Sequence, residues 1–199
     1  MLEGLIELVA DLNSVGLALV AFALAFGETA VGLDVIVPGE AGVVVVGAAA
    51  DSGGHPLAAI AAAAAFGAMA GDTVSFVIGR RWGDSLLRRW SWTRRRVLPK
   101  VEDAAGWVDR HGGLAVFAGR WIGALRAVVP LVAGMSDMPV RRFLAWNVLA
   151  SITWATTVAT IGYVVGLPAA RFVDRTGVWF YLGIAVVVAA VLARRRWRR

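Results

Sequence analysis

At 199 residues the chain has the length of one or two domains, but 59% of it is hydrophobic and its mean hydropathy is +0.71. That balance excludes an ordinary water-soluble domain and points to a single integral membrane unit, residues 1–199. The net charge of +6 lies in blocks beside apolar runs, so anionic lipid headgroups, not nucleic acid, are the expected counter-charge, and the absence of cysteine removes disulfide and thiolate chemistry.

The opening MLEGLIELVADLN carries acidic residues where a signal peptide needs basic ones, and is read as mature sequence. The apolar run 12–27 is expected to leave the cytoplasm and 57–79 to return to it. The stretch between them, 28–50, then begins and ends on the outer side. Its two arms are too short to cross a core that needs about 20 apolar residues, so it is expected to be a re-entrant hairpin. Pro38 and Gly39 suit the central positions of a type II turn, and Glu40 opens the returning half-helix, where exposed N–H groups favour a carboxylate. Residues 12–83 form the first half.

Segment 84–110 places Leu86, Leu87, Trp90 and Val97, then Val101, Ala104, Ala105 and Val108, near helical spacing, and is expected to lie as an amphipathic segment on the cytoplasmic surface. Residues 112–140 start and end beside arginine blocks, which predicts a second re-entrant hairpin. The uncharged crossing 143–166 completes the second half, 112–166. A last transmembrane helix, 176–193, leads to the basic tail 194–199. The block Arg80 to Arg110, the pair Arg141-Arg142 and the tail fall on one side, cytoplasmic by the positive-inside tendency, with both termini there. The expected fold is an all-α integral membrane protein: an inverted repeat of two re-entrant helical hairpins with about four transmembrane helices. Ile78-Gly79 with Gly83 is echoed by Ile161-Gly162 with Gly166, an echo that small-residue helix packing explains equally well.

A charge inside a crossing costs roughly 2.5–3.5 kcal/mol, so such residues face a partner or a cavity. Glu28 and Glu40 on one hairpin and Arg120 and Arg126 on the other are therefore expected to meet. Arginine's planar, permanently charged fork suits phosphate, and a glutamate beside it is a candidate proton carrier; a structural clamp of salt bridges is the alternative. Asp72 joins this network or caps it. Asn147, Ser151, Thr153, Trp154, Thr156, Thr157 and Thr160 give the long crossing a polar stripe of the kind that bonds neighbouring helices. His55 and His111 have no second histidine at ligand spacing, so neither metal nor cofactor is expected. The absence of hydrolase and Walker motifs argues against an enzyme.

The order and spacing of these residues resemble the DedA family of bacterial membrane proteins, also called the SNARE-associated or VTT-domain family, over roughly residues 20–170. The motifs are Glu28, Pro38-Gly39-Glu40 and Gly47; Gly71-Asp72, Phe76, Ile78-Gly79-Arg80 and Gly83; then His111-Gly112-Gly113, Gly119-Arg120-Trp121-Ile122, Arg126, Pro130, Ala133-Gly134-Met135, Asn147, Trp154, Gly162-Tyr163 and Gly166. The resemblance implies a transporter in the bacterial cell membrane that returns undecaprenyl phosphate, or another polyprenyl phosphate, to the cytoplasmic leaflet in dependence on the proton motive force. On that reading Arg120 and Arg126 bind phosphate and Glu28 and Glu40 couple protons. Asp72, Pro38, Gly39, Pro130, Asn147 and Trp154 support them, and a homo-oligomer is compatible. Two departures stand out: Gly123 where the family usually has proline, and Phe76 where it usually has tyrosine. The competing expectations are a proton-coupled exporter of small cations or drugs and a lipid-binding scaffold without turnover.

Overall fold

The structure, a computed structural model, describes Val9 and residues 11–30, 39–89, 104–126 and 128–176, with side chains for residues 9, 11–30, 42–83, 104–122, 125–126 and 128–166. Pro38, the side chain of Glu40, residues 90–103 of the expected amphipathic segment, the expected helix after residue 176 and the basic tail lie outside these residues. The described residues are helical, with no strand among them. In chain order the helices are α1 (Ser14–Thr29), α2 (Gly39–Ser52), α3 (Leu57–Arg89), α4 (Gly113–Arg120), α5 (Gly123–Arg126), α6 (Val129–Met135) and α7 (Val140–Thr176), with a further helical stretch at 104–111.

Local chemistry sets the boundaries. Asn13 caps α1, its side chain accepting from the Gly16 N–H at 2.7 Å, which satisfies one of the exposed donors of the first turn. α2 stops at Gly53-Gly54: Gly54 has φ +65°, His55 N–H donates to the Ala50 carbonyl at 2.8 Å and Gly54 N–H to Asp51 at 3.3 Å. This pairing closes a helix on a left-handed residue, and glycine fits there without strain. Pro56 then precedes α3. α2 begins at Gly39, so Glu40 lies in its first turn, as expected from the sequence.

Two segments, Leu57–Gly83 of α3 and Val140–Gly166 of α7, each of 27 residues, are long and apolar enough to cross a membrane; at 1.5 Å per residue each spans roughly 40 Å against a hydrocarbon core of about 30 Å. They run antiparallel, since Asn147 bonds back to Met69, Phe143 stacks on Phe76 with ring centroids 4.1 Å apart and Arg80 donates to the Met138 carbonyl. Many exposed side chains on these helices are large and apolar, among them Phe66, Val77, Leu149, Ile152, Ile161 and Val164. An apolar exterior around buried polar residues suits a lipid solvent.

The direction of α1 differs from the alternation expected from the sequence. Phe22 lies against Gly67, and Phe26 and Thr29 against Gly71, so α1 runs parallel to α3. α2 turns back beside α1, with Gly42 against Leu24 and His55 bonded to Ser14 at 2.8 Å. Residues 12–27 are therefore not an outward crossing that precedes a separate hairpin 28–50. The helix continues through Glu28 and Thr29, and Ser14–Thr29 and Gly39–Ser52 are the two antiparallel arms. The physical reason is length: 16 residues reach only about 24 Å. Four crossings were expected, and the described residues contain two helices of crossing length.

Each half repeats one contact plan. α1 lies along α3, and α4 lies along α7, with Gly113 against Trp146 and Arg120 over Trp154. The returning arm then crosses to the other half. In α2, Gly47 packs on Ala159, Gly162 and Tyr163, and in α6, Gly134 packs on Phe76 and Arg80. Gly162 and Gly79, the glycines of the sequence echo, face the Val44 and Leu131 carbonyls respectively. Their first role is close helix packing.

Two apolar cores result. One joins α1, α2, the first half of α3 and the later part of α7, and is rich in alanine. The other joins Phe76, α4, α6 and Phe143 with Ala104 and Val108. The apolar face of 104–111 is thus buried in the core, while Asp109 and Arg110 are exposed, and residues 84–89 extend α3 rather than open a surface segment. Phe76→Ala, which removes the ring at the centre of the second core, is expected to cost about 3–5 kcal/mol, measured as an earlier midpoint when unfolding in mixed detergent micelles is followed by circular dichroism.

Candidate functional site

Between the two cores, near the middle of both crossing segments, the buried residues become polar: Glu28, Thr29, Asp72, Ser75, Arg120, Asn147 and Ser151. Glu28 stands in the last turn of α1, with 1% of its surface exposed, and the Arg126 guanidinium reaches it at 2.6 Å. Arg120, the last residue of α4, is 5% exposed. It forms an ion pair with Asp72 of α3 and lies over the Trp154 ring of α7, 4.8 Å from its centroid. The pairs bring α1 and α3 of one half against α4 and α5 of the other.

The surroundings hold these residues in place. Asn147 donates across to the Met69 carbonyl at 3.2 Å and accepts from Ser151 at 3.2 Å. Thr29 donates to Ala25 at 3.0 Å and to Ala68 at 3.4 Å, and Ser75 donates to the Thr29 carbonyl at 2.9 Å. The Thr29 carbonyl at the end of α1 is thereby used by the α3 side chain of Ser75, and the Thr29 hydroxyl reaches the α3 backbone at Ala68, so the turn that carries Glu28 is tied to α3. Pro130 is buried at the start of α6, where a missing N–H is no loss.

Of the residues singled out from the sequence, Glu28 and Arg126 meet. Arg120 meets Asp72, which the sequence reading placed only in a supporting role. The Glu40 side chain and Pro38 lie outside the described residues, and Gly39 opens α2. Asn147 and Trp154 face the charge layer, whereas Thr153 and Thr157 bond back to their own helix at Leu149 and Thr153. Thr29 and Ser75 escaped sequence reasoning. Their signals are adjacency to Glu28 and a three-residue spacing from Asp72, which puts both α3 residues on one face.

Chemically, the described residues of the layer offer two guanidiniums and two carboxylates, all buried or nearly so. Such charges interact strongly and are costly to leave unmatched. The Asp72–Arg120 contact uses one carboxylate oxygen and one terminal nitrogen. Asp72 Oδ1 and Arg120 Nε are buried without a hydrogen-bond partner among the described residues, so the pair retains unused capacity for another donor or acceptor.

These features define a membrane protein with no strand among its described residues and a buried ionic layer where its two halves meet. The chain belongs to the VTT-domain family, which includes DedA: the VTT domain matches residues 37–164. Inner membrane protein YohD of Escherichia coli K12 is 31% identical over 169 residues, covering 82% of this chain and 86% of its own. A membrane protein of Mycobacterium tuberculosis is 38% identical over 181 residues, covering 84% and 79%. Protein DedA of Escherichia coli K12 is 31% identical over 169 residues, covering 81% and 74%. No solved structure matches the chain significantly. The matched VTT domain begins after α1, so Glu28 lies outside it while Asp72, Arg120 and Arg126 lie within.

Proposed function

We propose that the protein is a secondary transporter that carries a lipid-linked phosphate, of the polyprenyl phosphate class, between leaflets in dependence on the proton motive force. The observation that carries this reading is the buried pairing of Glu28 with Arg126 and of Asp72 with Arg120 at mid-height of the bundle. Arg120 and Arg126 bind the phosphate, and Glu28 and Glu40 exchange protons as it moves. Only the headgroup needs a polar path, since the hydrocarbon tail stays in lipid.

In a bilayer, α1 with α2 and α4 to α6 act as re-entrant hairpins that enter from opposite faces. The antiparallel crossings and the repeated contact plan support this inverted repeat. Arg80, Arg81, Arg110, Arg141 and Arg142 surround the end of α3's crossing and the start of α7, an end that the positive-inside tendency assigns to the cytoplasm. The start of α1, beside His55, then lies at the opposite end, and the expectation that this run begins in the cytoplasm gives way. Anionic phospholipids complement the arginine end.

The test is leaflet-resolved movement of a polyprenyl phosphate in proteoliposomes with an imposed pH gradient. Arg120→Ala and Glu40→Gln are each expected to lower the rate at least about a hundredfold, the scale of losing an essential charged contact. A rate equal to the parent's in either variant overturns the assigned roles, and a parent that moves no lipid overturns the function.

A further inference from the structure

The described charges of the layer balance. Glu28 and Asp72 contribute two negative charges, Arg120 and Arg126 two positive ones, and each arginine already holds a carboxylate. A phosphate monoester carries between one and two negative charges near neutral pH. Its arrival in a balanced, buried layer leaves an excess of negative charge, which is expensive away from water. Binding therefore requires a resident carboxylate to take up a proton, which removes its charge, and to give up its place on an arginine.

We infer that Asp72 is a resident competitor that occupies Arg120 until the phosphate group displaces it. This rests on the phosphate reading of the site. Three features select Asp72. Its contact with Arg120 is single-pronged, one oxygen on one terminal nitrogen, whereas the same guanidinium can grip a phosphate with two parallel bonds. Arg120 Nε has no hydrogen-bond partner among the described residues although it is buried, so a donor is available for an acceptor that Asp72 does not supply. The guanidinium also lies over Trp154, whose ring favours the cation whichever anion it holds, so Arg120 need not move when its partner changes. Asp72 is thus a positioning residue: it keeps Arg120 neutralised and oriented in the absence of phosphate and limits how tightly phosphate is held.

A purely structural salt bridge makes the opposite prediction, because loss of Asp72 would then disorder Arg120 and weaken binding. The experiment is isothermal titration calorimetry of the full chain in detergent, with n-dodecyl phosphate and, separately, inorganic phosphate. Asp72→Asn is expected to bind n-dodecyl phosphate about tenfold more tightly than the parent, or ~1.4 kcal/mol, and the gain is expected to vanish in Asp72→Asn/Arg120→Gln. A gain with n-dodecyl phosphate alone assigns the competition to a lipid-linked group, and a gain with both ligands assigns it to the phosphate group itself. Unchanged or weaker binding by Asp72→Asn overturns the inference while leaving the phosphate reading intact. No binding by the parent defeats that reading and the inference with it. If Asp72→Asn does not fold, carbodiimide labelling of the parent decides. Modification of Asp72 by dicyclohexylcarbodiimide, followed by peptide mass spectrometry, is expected to rise when n-dodecyl phosphate is present, and an unchanged or reduced yield overturns the inference.

Discussion

Arg126→Ala is expected to destabilise the protein by about 3–5 kcal/mol, the usual cost of removing one partner from a buried ion pair, and to stop lipid transport. The variant takes away the guanidinium that stands 2.6 Å from Glu28 and leaves that carboxylate almost entirely shielded from solvent. Stability and transport separate in a second variant. Glu28→Gln/Arg126→Gln replaces both charges with neutral amides, isosteric at position 28 and shorter at position 126, so no unmatched charge is left buried and much of the lost stability is expected to return, measured as the midpoint of unfolding in mixed micelles. Transport in proteoliposomes is expected to stay at background, because the proposed phosphate site loses one of its two arginines and the proposed proton path one of its two glutamates. A double variant that moves lipid at the parent rate would reduce the pair to a clamp.

Gly79→Ala and Gly162→Ala are each expected to cost about 1–3 kcal/mol or more, the penalty for overpacking a close interface. A Cβ at Gly79 collides with the Leu131 carbonyl, and one at Gly162 collides with the Val44 carbonyl. These obstacles are backbone atoms of packed helices and cannot swing aside as a flexible side chain would. Gly27 supplies the internal control, since nothing lies within 4 Å of a Cβ built there. Gly27→Ala is expected to be neutral or to stabilise α1 by up to about 1 kcal/mol through helix propensity. The comparison is read from thermal denaturation of the purified variants in one detergent; equal midpoints for all three would show that the crossings tolerate separation.

The cost of charge in lipid is enough to single out Glu28 and Arg126 from the sequence, because no pattern of helix packing makes an unmatched charge there cheap. The partner of Arg120 is less legible. Asp72 follows a glycine within a crossing and resembles a cap as much as a ligand. Its pairing depends on α4 lying along α7, which brings the end of α4 across to α3. Hydropathy also misleads over α1: a 16-residue apolar helix looks like a short crossing, and alternation then reverses its direction. The glycines carried the missing information. Gly67 and Gly71 mark where α1 lies on α3, but a glycine in sequence records that something comes close without naming what. The echo of Gly79 in Gly162 could likewise be seen in the sequence, while the backbone that each one meets could not.

The returning arms have changed places: α2 is seated on α7 and α6 on α3. Neither half is therefore a complete folding unit, since cutting the chain near residue 100 separates each arm from its seat. Two such fragments would have to find each other inside the bilayer to recover the fold, and a lone half would need a second, upside-down copy of itself to supply the missing seat.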